Sequence, residues 1–301
     1  MLSINTNVAS MAAVNAINKS NASLATSMER LATGNRINSS ADDAAGKQIA
    51  TRLQTQSDGD AVAQRNISDA TAMLQTADGM FDEMTDVLGR MNDLSTQAAN
   101  GTYSDDDLQA MQDEYDELGQ QMSDMLQNTT YGGTNLFGSS GANSNTEKDG
   151  LFQSAVTFQV GAESSDTITV DISTQLTGLV NDLGAVSKSF SADQTSNTAS
   201  GGNELTTSGG AHDAMDSIST AMDDISSIQS SLGASINRLN DTAANLTNMK
   251  DNTDVAIGNI MDTDYATEAS NMTKQQVLMQ TGITMLKQSN STSSMVGSLL
   301  Q

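Results

Sequence analysis

A long seven-residue apolar repeat is the feature that most constrains the fold of this chain. An apolar residue occupies every seventh position from Ile218 to Leu246, and the row continues through Thr253 to Ile260. Additional apolar residues lie four positions after members of this row, at Met222, Ile236, Ala243 and Ile257. No proline occurs anywhere in the chain to interrupt a helix. The sequence therefore predicts a long coiled-coil-like helix over residues 218–260.

Two more long helices are predicted earlier in the chain. The first runs from about Ala44 to Ala99, and the second follows Ser104, a suitable N-cap residue. Asp105, Asp106 and Asp107 suit the positive end of that helix's dipole, which we favour over a calcium-binding role because the alternating ligands of a calcium loop are missing. The seam residues of the two helices are Ile67, Leu74, Phe81, Leu88 and Leu94, then Leu108, Met111, Tyr115, Leu118, Met122 and Met125. Together with the helix at 218–260, these two helices predict an antiparallel bundle.

The apolar period shortens to about 2 residues between 156 and 172, as in a β-strand. Val156, Phe158 and Val160 alternate with polar residues before a turn, which predicts a β-hairpin with the strand that follows. Residues 176–210 are rich in Ser, Thr, Asn and Gly, so we expect a short, variable, exposed segment of mostly irregular structure. The predicted fold class is mainly α: a long-helix antiparallel bundle with coiled-coil terminal helices and a small β-hairpin element.

The two ends of the chain differ in charge from the middle. Residues 1–36 have a net charge of +2, and residues 265–301 have a net charge of +1. Since the whole chain has a net charge of −24, residues 37–264 have a net charge of −27. Both ends are predicted to form thin amphipathic helices that are marginal in an isolated monomer. We expect these surfaces to be buried against copies of the same chain. The predicted contact residues are Ile17, Leu24 and Leu31 at one end and Leu278, Met285 and Leu299 at the other.

Composition and motifs argue against several classes of function. The pI near 4.1 does not suit nucleic-acid binding, and no apolar run is long enough for a membrane span. The N-terminus lacks the basic and apolar regions of a cleavable signal peptide. His212 is the single histidine, there is no cysteine, and the motifs for zinc hydrolysis, phosphate binding and dinucleotide binding are absent. We therefore expect no enzyme activity, no cofactor and no metal site.

Segments at both ends resemble the signatures of bacterial flagellins. At the N-terminal end these are "ERLATGNRINSSADDAAGKQIATRL" at residues 29–53 and "QAANGTYSDDDL" at residues 97–108. At the C-terminal end they are "LGASINRLNDTAANLTNM" at residues 232–249 and "MDTDYATEASNMTKQQVLMQTGITMLKQSN" at residues 261–290. The resemblance implies a structural subunit of the extracellular flagellar filament, exported unfolded through the flagellar type III apparatus and used as a passive propeller for motility.

The resemblance also implies a domain organisation and partners. An inner-tube helix at 1–43 would pair with 258–301. The core bundle domain would comprise 44–175, with the hairpin at 156–172, and would be completed by 211–257. The implied partners are other copies in a homo-polymer, the flagellar cap and hook-associated proteins, a flagellin export chaperone and an innate immune receptor, with no nucleic acid and no membrane.

Members of this family are recognised by the flagellin-detecting Toll-like receptor. Arg90, Leu94 and Glu114 occupy the matching positions here. The alternative is that Leu94 is a seam residue and that Arg90 and Glu114 make filament contacts. For the whole chain, the alternatives to a filament subunit are a hook-filament junction protein, which would form only a short ring, and an adhesin or immune ligand that acts as a monomer.

Overall fold

The computed structural model describes residues 7–138, 150–190 and 202–299, and side chains at 293, 294 and 296–299 lie outside that description. Six α-helices, four β-strands and one short 3-10 helix (Leu151–Gln153) occur in the described residues. In chain order the α-helices and β-strands are α1 (Val8–Thr33), α2 (Ala44–Ala98), α3 (Asp105–Asn128), β1 (Thr130–Tyr131), β2 (Thr134–Asn135), β3 (Val156–Gln159), β4 (Thr167–Val170), α4 (Ser173–Val186), α5 (Ser208–Met261) and α6 (Tyr265–Leu299). The predicted mainly α fold with a small hairpin is confirmed.

The chain divides into two compact units. The terminal unit consists of residues 1–57 and 250–301, and the body unit of residues 58–249. The long helices α2 and α5 each contribute to both units. The boundaries therefore lie inside α2, at 57/58, and inside α5, at 249/250, whereas the divisions that the resemblance implies are at 43/44 and 257/258.

The terminal unit is built mainly from α1 and α6, which pack against each other. Asn7 caps α1, since its side-chain oxygen accepts a hydrogen bond from the Ser10 backbone N–H at 3.1 Å. The helix ends at Gly34, whose φ of 76° lies in the left-handed region that glycine tolerates. No helix in the described part of the chain has an apolar stretch long enough to cross a bilayer.

The body unit contains one continuous hydrophobic core between its helices and its β3–β4 hairpin. Phe81, Phe137 and Phe152 lie at its centre, each at most 1 % exposed, and the Phe81 and Phe137 rings meet edge to face at 5.1 Å. Most of the seam residues predicted on α2, α3 and α5 belong to this core or pack against it. The apolar repeats therefore have the burial that their spacing predicted.

Local signals at the start of α3 and in the hairpin are confirmed. Ser104 and Asp107 form a reciprocal capping box, in which each side chain accepts a hydrogen bond from the other residue's backbone N–H. Strands β3 and β4 pair antiparallel, with Val156 opposite Val170. A second, smaller hairpin, β1–β2, was not predicted; its turn residues Gly132 and Gly133 have φ values of 59° and 85°. Such a Gly-Gly pair is a known hairpin turn signal.

The expectation of an irregular, exposed segment over residues 176–210 is wrong for residues 176–186 and 208–210, which are helical, whereas residues 187–190 and 202–207 are irregular. Residues 173–186 form α4, and Leu176, Leu179, Leu183 and Val186 are buried in the core. Their spacing of 3, 4 and 3 residues is that of a helix face. The buried Tyr115 hydroxyl donates to the Val186 carbonyl at 2.9 Å, which fixes the end of α4. Residues 191–201 lie outside the described residues.

Candidate functional site

The paired helices α1 and α6 are the candidate site. They run antiparallel, because Asn7 and Ser10 at the start of α1 meet residues near the end of α6. There, the Asn7 amide donates to the Ser289 hydroxyl at 3.1 Å, and the Ser10 hydroxyl donates to Asn290 Oδ1 at 2.8 Å. At the other end of the pair, Arg30 Nη1 lies 3.8 Å from Glu268 Oε2. Small polar contacts therefore mark both ends of a long helix–helix seam.

The structure separates the six predicted contact residues into different surfaces. Ile17, Leu24 and Leu31 lie on the face of α1 that packs against α6, where Leu24 is buried and the other two are half-buried. Leu278 and Met285 are 46 % and 63 % exposed and lie off this seam. Leu299 is the last residue of α6, and its side chain lies outside the described residues. The two predicted rows are thus not brought together within one chain.

The seam of α6 is formed by different residues, which sequence reasoning missed. Its half-buried or buried positions follow two seven-residue rows. One row is Glu268, Gln275, Gly282 and Ser289, and the other is Met272, Met279 and Leu286. A side chain at 282 would meet Ile17, since a β-carbon there would lie 2.8 Å from Ile17 Cγ1. The seven-residue spacing of these rows is present in the sequence. The first row is polar, however, and the prediction rested on the larger apolar residues of the helix.

Backbone pairing joins the chain segments next to this seam. Asn35 and Asp262 form an isolated antiparallel bridge, and the Thr263 N–H donates to the Gly34 carbonyl at 2.9 Å. Asp264 then caps α6 by accepting from the backbone N–H groups of Ala266 and Thr267. These bonds and one from the Thr267 hydroxyl lower the pKa of Asp264 below its ordinary value.

The terminal unit exposes many large hydrophobic residues. Twelve of the large hydrophobic residues found exposed lie in this unit, and three lie in the body unit. The twelve are Val8, Met11, Val14, Met28, Ile49, Val255, Tyr265, Val277, Leu278, Ile283, Met285 and Met295. Exposed apolar surface on this scale marks a site of interaction with another macromolecule.

The two units also differ in charge. The terminal unit contains eight Lys and Arg residues and eight Asp and Glu residues, whereas the body unit contains five and twenty-nine. The terminal unit is therefore neutral, and the whole net charge of −24 lies in the body unit. Copies of the terminal unit can approach each other without net electrostatic repulsion.

The predicted receptor patch lies in the body unit. Arg90 on α2 donates to Glu114 Oε1 on α3 through Nε at 2.9 Å and Nη2 at 2.6 Å. Both side chains are about half exposed, at 53 % and 46 %. Leu94 is only 3 % exposed and belongs to the core. The structure thus brings Arg90 and Glu114 together on the surface, with Leu94 beneath it as a seam residue.

The described residues contain no group of three or more His, Cys, Asp or Glu side chains arranged to hold a metal ion. His212 is exposed near the start of α5. Asp107 is engaged in the α3 capping box, where its hydrogen bonds with Ser104 lower its pKa. Asp107 therefore has a structural role, and His212 has a solvent-exposed position.

Comparison with known proteins identifies the family. Residues 4–142 match the model of the bacterial flagellin N-terminal helical region, and residues 215–300 match that of the C-terminal helical region. Polar flagellin F of Vibrio parahaemolyticus is 32 % identical over 99 % of both chains, and a flagellin of Listeria innocua is likewise 32 % identical over 99 % of both. A solved structure of a putative flagellar hook-associated protein from Vibrio parahaemolyticus shares the fold, with a TM-score of 0.52, 16 % identity, and coverage of 73 % of this chain and all of that one. With both terminal models matched and full-length relatives at this identity, the chain belongs to the bacterial flagellin family, a family of structural filament proteins.

Proposed function

We propose that this chain polymerises into the flagellar filament through its terminal unit. The observation that carries the proposal is the concentration of exposed apolar side chains in a unit of zero net charge. Burying such a surface against other copies is favourable by roughly 25 cal/mol for each Å² of apolar area. Assembly would therefore supply the burial that the terminal unit lacks in a single chain.

The exposed residues occupy two different surfaces. Met11 and Val14 lie on α1, while Val277, Leu278 and Met285 lie on α6. Contact between unlike surfaces of successive copies is heterologous, and a heterologous contact that does not close into a ring builds an open helical polymer. The chain thus has the kind of surface asymmetry that a filament requires.

Family membership supports a wider proposal for the life of the subunit. It is exported unfolded through the flagellar type III apparatus with the help of a flagellin export chaperone, and it assembles outside the cell beneath the flagellar cap on hook-associated proteins. There it acts as part of a passive propeller for motility. The absence of proline suits this route, because no slow proline isomerisation delays refolding after export.

Polymerisation of the purified chain tests the principal proposal. We expect micrometre filaments by electron microscopy after seeding, and loss of most of the sedimentable polymer in Met285→Ser. Val62→Ser is the matched control, because Val62 is also an exposed apolar residue but lies in the body unit. Short rings in place of filaments favour a hook-filament junction role, and equal losses in both variants contradict assembly through the terminal unit.

A second proposal is recognition by the flagellin-detecting Toll-like receptor through Arg90 and Glu114. The support is that these two residues form an exposed ion pair at the positions implied by the family resemblance. The buried Leu94 would hold the surface in shape rather than contact the receptor.

Activation of receptor-bearing cells by purified monomer tests this second role. Arg90→Ala should reduce activation about tenfold or more, since it removes an exposed arginine from the proposed contact surface together with both of its hydrogen bonds to Glu114. Arg65→Ala is the control, because Arg65 is another exposed arginine of α2. Unchanged activation by the Arg90 variant, or no activation by the wild-type monomer, rules the role out.

A further inference from the structure

The α1 side of the seam between α1 and α6 is repetitive. Its large apolar positions on α1 are Ile17, Leu24 and Leu31, spaced by seven residues. The positions between them include Ser20 and Ser27, whose side chains are small. A repeat of this kind presents the same apolar spacing on α1 after a shift of seven residues, so it does not by itself fix the alignment. Contacts between particular residues, such as Ile17 against Gly282, must therefore contribute to the choice of partner and register.

The Arg30–Glu268 contact is the one ion pair that joins α1 to α6 among the described residues. Glu268 is only 7 % exposed, although it lies in a unit whose core is thin. Arg30 is partly buried, and its Nε has no hydrogen-bond partner. A buried carboxylate therefore has its one close opposite charge on the neighbouring helix.

This pair is poorly arranged for stabilisation. Its Nη1–Oε2 distance of 3.8 Å exceeds the 2.7–2.9 Å that is typical of a charge-assisted hydrogen bond. Net gains from such pairs are small, whereas leaving one member buried without the other is costly. The energetic effect of the pair is thus expected chiefly in alternative arrangements, where Glu268 loses Arg30.

We propose that Arg30 and Glu268 are positioning residues that determine which helices pair in the terminal unit and at which register. Pairing of α6 with α6 from another copy would bring two buried glutamates into one seam. Pairing of α1 with α1 would leave Arg30 without the Glu268 carboxylate. A seven-residue shift would place Glu268 opposite Ser23 instead of Arg30. Each error removes the compensating charge, which is how buried polar groups set register in coiled coils.

The backbone bonds at Gly34 and Thr263 do not replace this role. They join the segments next to the seam, but they are made by main-chain atoms and do not depend on which side chains are present. They therefore cannot distinguish one helix face from another. If they nevertheless suffice to set the register, removal of the ion pair will have no effect on it.

Engineered cysteines can report the register, because the chain has no cysteine of its own. The hydroxyls of Ser10 and Ser289 are 3.1 Å apart, so Ser10→Cys with Ser289→Cys reports the observed alignment. Ser20→Cys with Met272→Cys reports a shift of seven residues, since both positions face the seam but are one repeat out of step. Disulfide yield under mild oxidation is measured on purified full-length monomer by non-reducing electrophoresis.

With the native ion pair, we expect a higher yield of the 10–289 disulfide, which reports the observed alignment, than of the 20–272 disulfide, which reports the shifted one. Glu268→Ala should lower the ratio of aligned to shifted disulfide about tenfold, because it removes the charge that penalises the shift. Glu268→Gln, which keeps the side-chain shape, should do the same and guards against simple loss of packing. Lys274→Ala is the matched control, because Lys274 is an exposed charged residue of α6 with no resolved ion pair.

Charge exchange separates a specificity role from a general need for charge. Arg30→Glu combined with Glu268→Arg should restore the ratio, whereas Arg30→Glu alone should not. An unchanged ratio in both Glu268 variants, or an equal change in Lys274→Ala, overturns the inference. The monomer assay does not depend on polymerisation, so a chain that keeps its register but forms no filament contradicts the proposed function and leaves this inference standing.

Discussion

The two units of this molecule differ in how much of their hydrophobic surface is buried within a single chain. The body unit contains all five phenylalanines and buries an extensive core within one chain. In the terminal unit, by contrast, the buried hydrophobic residues are Leu24, Ile37 and Ala50, while twelve large ones are exposed. One unit is thus stabilised by its own side chains, and the other is built to be completed by neighbouring molecules.

The charge difference follows the same division. The body unit contains twenty-nine acidic residues and five basic ones, whereas the terminal unit has equal numbers of both. Acidic surface on the body unit opposes non-specific association there. Association is therefore directed towards the part of the chain that has the least charge and the most exposed apolar area.

Truncation gives the largest expected effect. Removing residues 1–36 or 265–301 takes away one member of the α1–α6 pair and should abolish polymerisation entirely. The body unit should remain folded, because its core lies between residues 63 and 246. Sedimentation measures the polymer, and the thermal transition followed by circular dichroism reports the body unit.

The same truncations test whether the ends are marginal in a lone monomer. Backbone amide dynamics measured by NMR on the intact monomer should show weaker order in α1 and α6 than in the body helices, as expected for thin helices that lack a full core. Rigid terminal helices in the monomer, normal filaments from truncated chains, or melting of the body unit on truncation would each contradict the division of roles.

A pair of single substitutions sharpens the contrast in stability. Phe81→Ala should reduce the free energy of unfolding by about 3–5 kcal/mol, since it leaves a cavity beside Phe137 in the body core. Met285→Ala should change the same quantity by less than about 0.5 kcal/mol, because that side chain is already exposed in one chain. Urea unfolding of the monomer measures both, and equal losses would mean that the terminal unit has a substantial core of its own.

Much of the body unit could be predicted from the sequence because its apolar residues are large and regularly spaced. The repeats on α2, α3 and α5 identified helices whose seams are indeed buried. Helix α4 was missed because its Leu176, Leu179 and Leu183 are surrounded by Ser, Thr and Gly, whose loop preference dominated the interpretation. A short helix of this type depends on tertiary contacts such as the Tyr115 hydrogen bond, which local sequence does not reveal.

The candidate site was predictable only in part, for a related physical reason. The largest apolar residues normally mark the buried face of a helix, and on α1 that rule succeeded at Leu24. On α6, Leu278 and Met285 are exposed in the single chain while Gly282 and Glu268 face α1, so the two large residues remain predicted contacts between copies. A helix that packs against α1 and also contacts another copy has two buried faces in the assembly. The sequence alone does not indicate which face contacts which partner.

Ionic strength should modulate assembly because only the body unit has a large net charge. Raising the salt concentration from about 10 mM to 1 M shortens the screening length from about 30 Å to 3 Å. We therefore expect the critical concentration for polymerisation to fall several-fold over this range, as measured by sedimentation.

Neutralising exposed acids of the body unit should reproduce part of that effect at low salt. A triple variant with Asp69→Asn, Glu117→Gln and Asp241→Asn removes three exposed charges. Asp251→Asn, an exposed position of the terminal unit, is the comparison. A critical concentration that does not respond to salt or to the triple variant would show that charge in the body unit does not limit assembly.

The last expected effect concerns a buried acid in the body unit. Asp60 is 2 % exposed, and its Oδ2 atom is buried without a hydrogen-bond partner. Burial, with a smaller contribution from the nearby Asp166 carboxylate, raises the pKa of Asp60 above its ordinary value of 3.8. At neutral pH the folded protein therefore retains an unfavourable charge that the unfolded chain exposes to water.

Asp60→Asn should consequently stabilise the monomer by about 1 kcal/mol at pH 7. As the pH falls through the raised pKa, the folded wild-type protein takes up a proton before the unfolded chain does and gains stability relative to its own neutral-pH value. The advantage of the variant should therefore shrink towards zero as the pH approaches 3.8. Asp69→Asn, on an exposed position of the same helix, should show no such convergence, and a pH-independent difference at Asp60 would mean that packing rather than ionisation accounts for it.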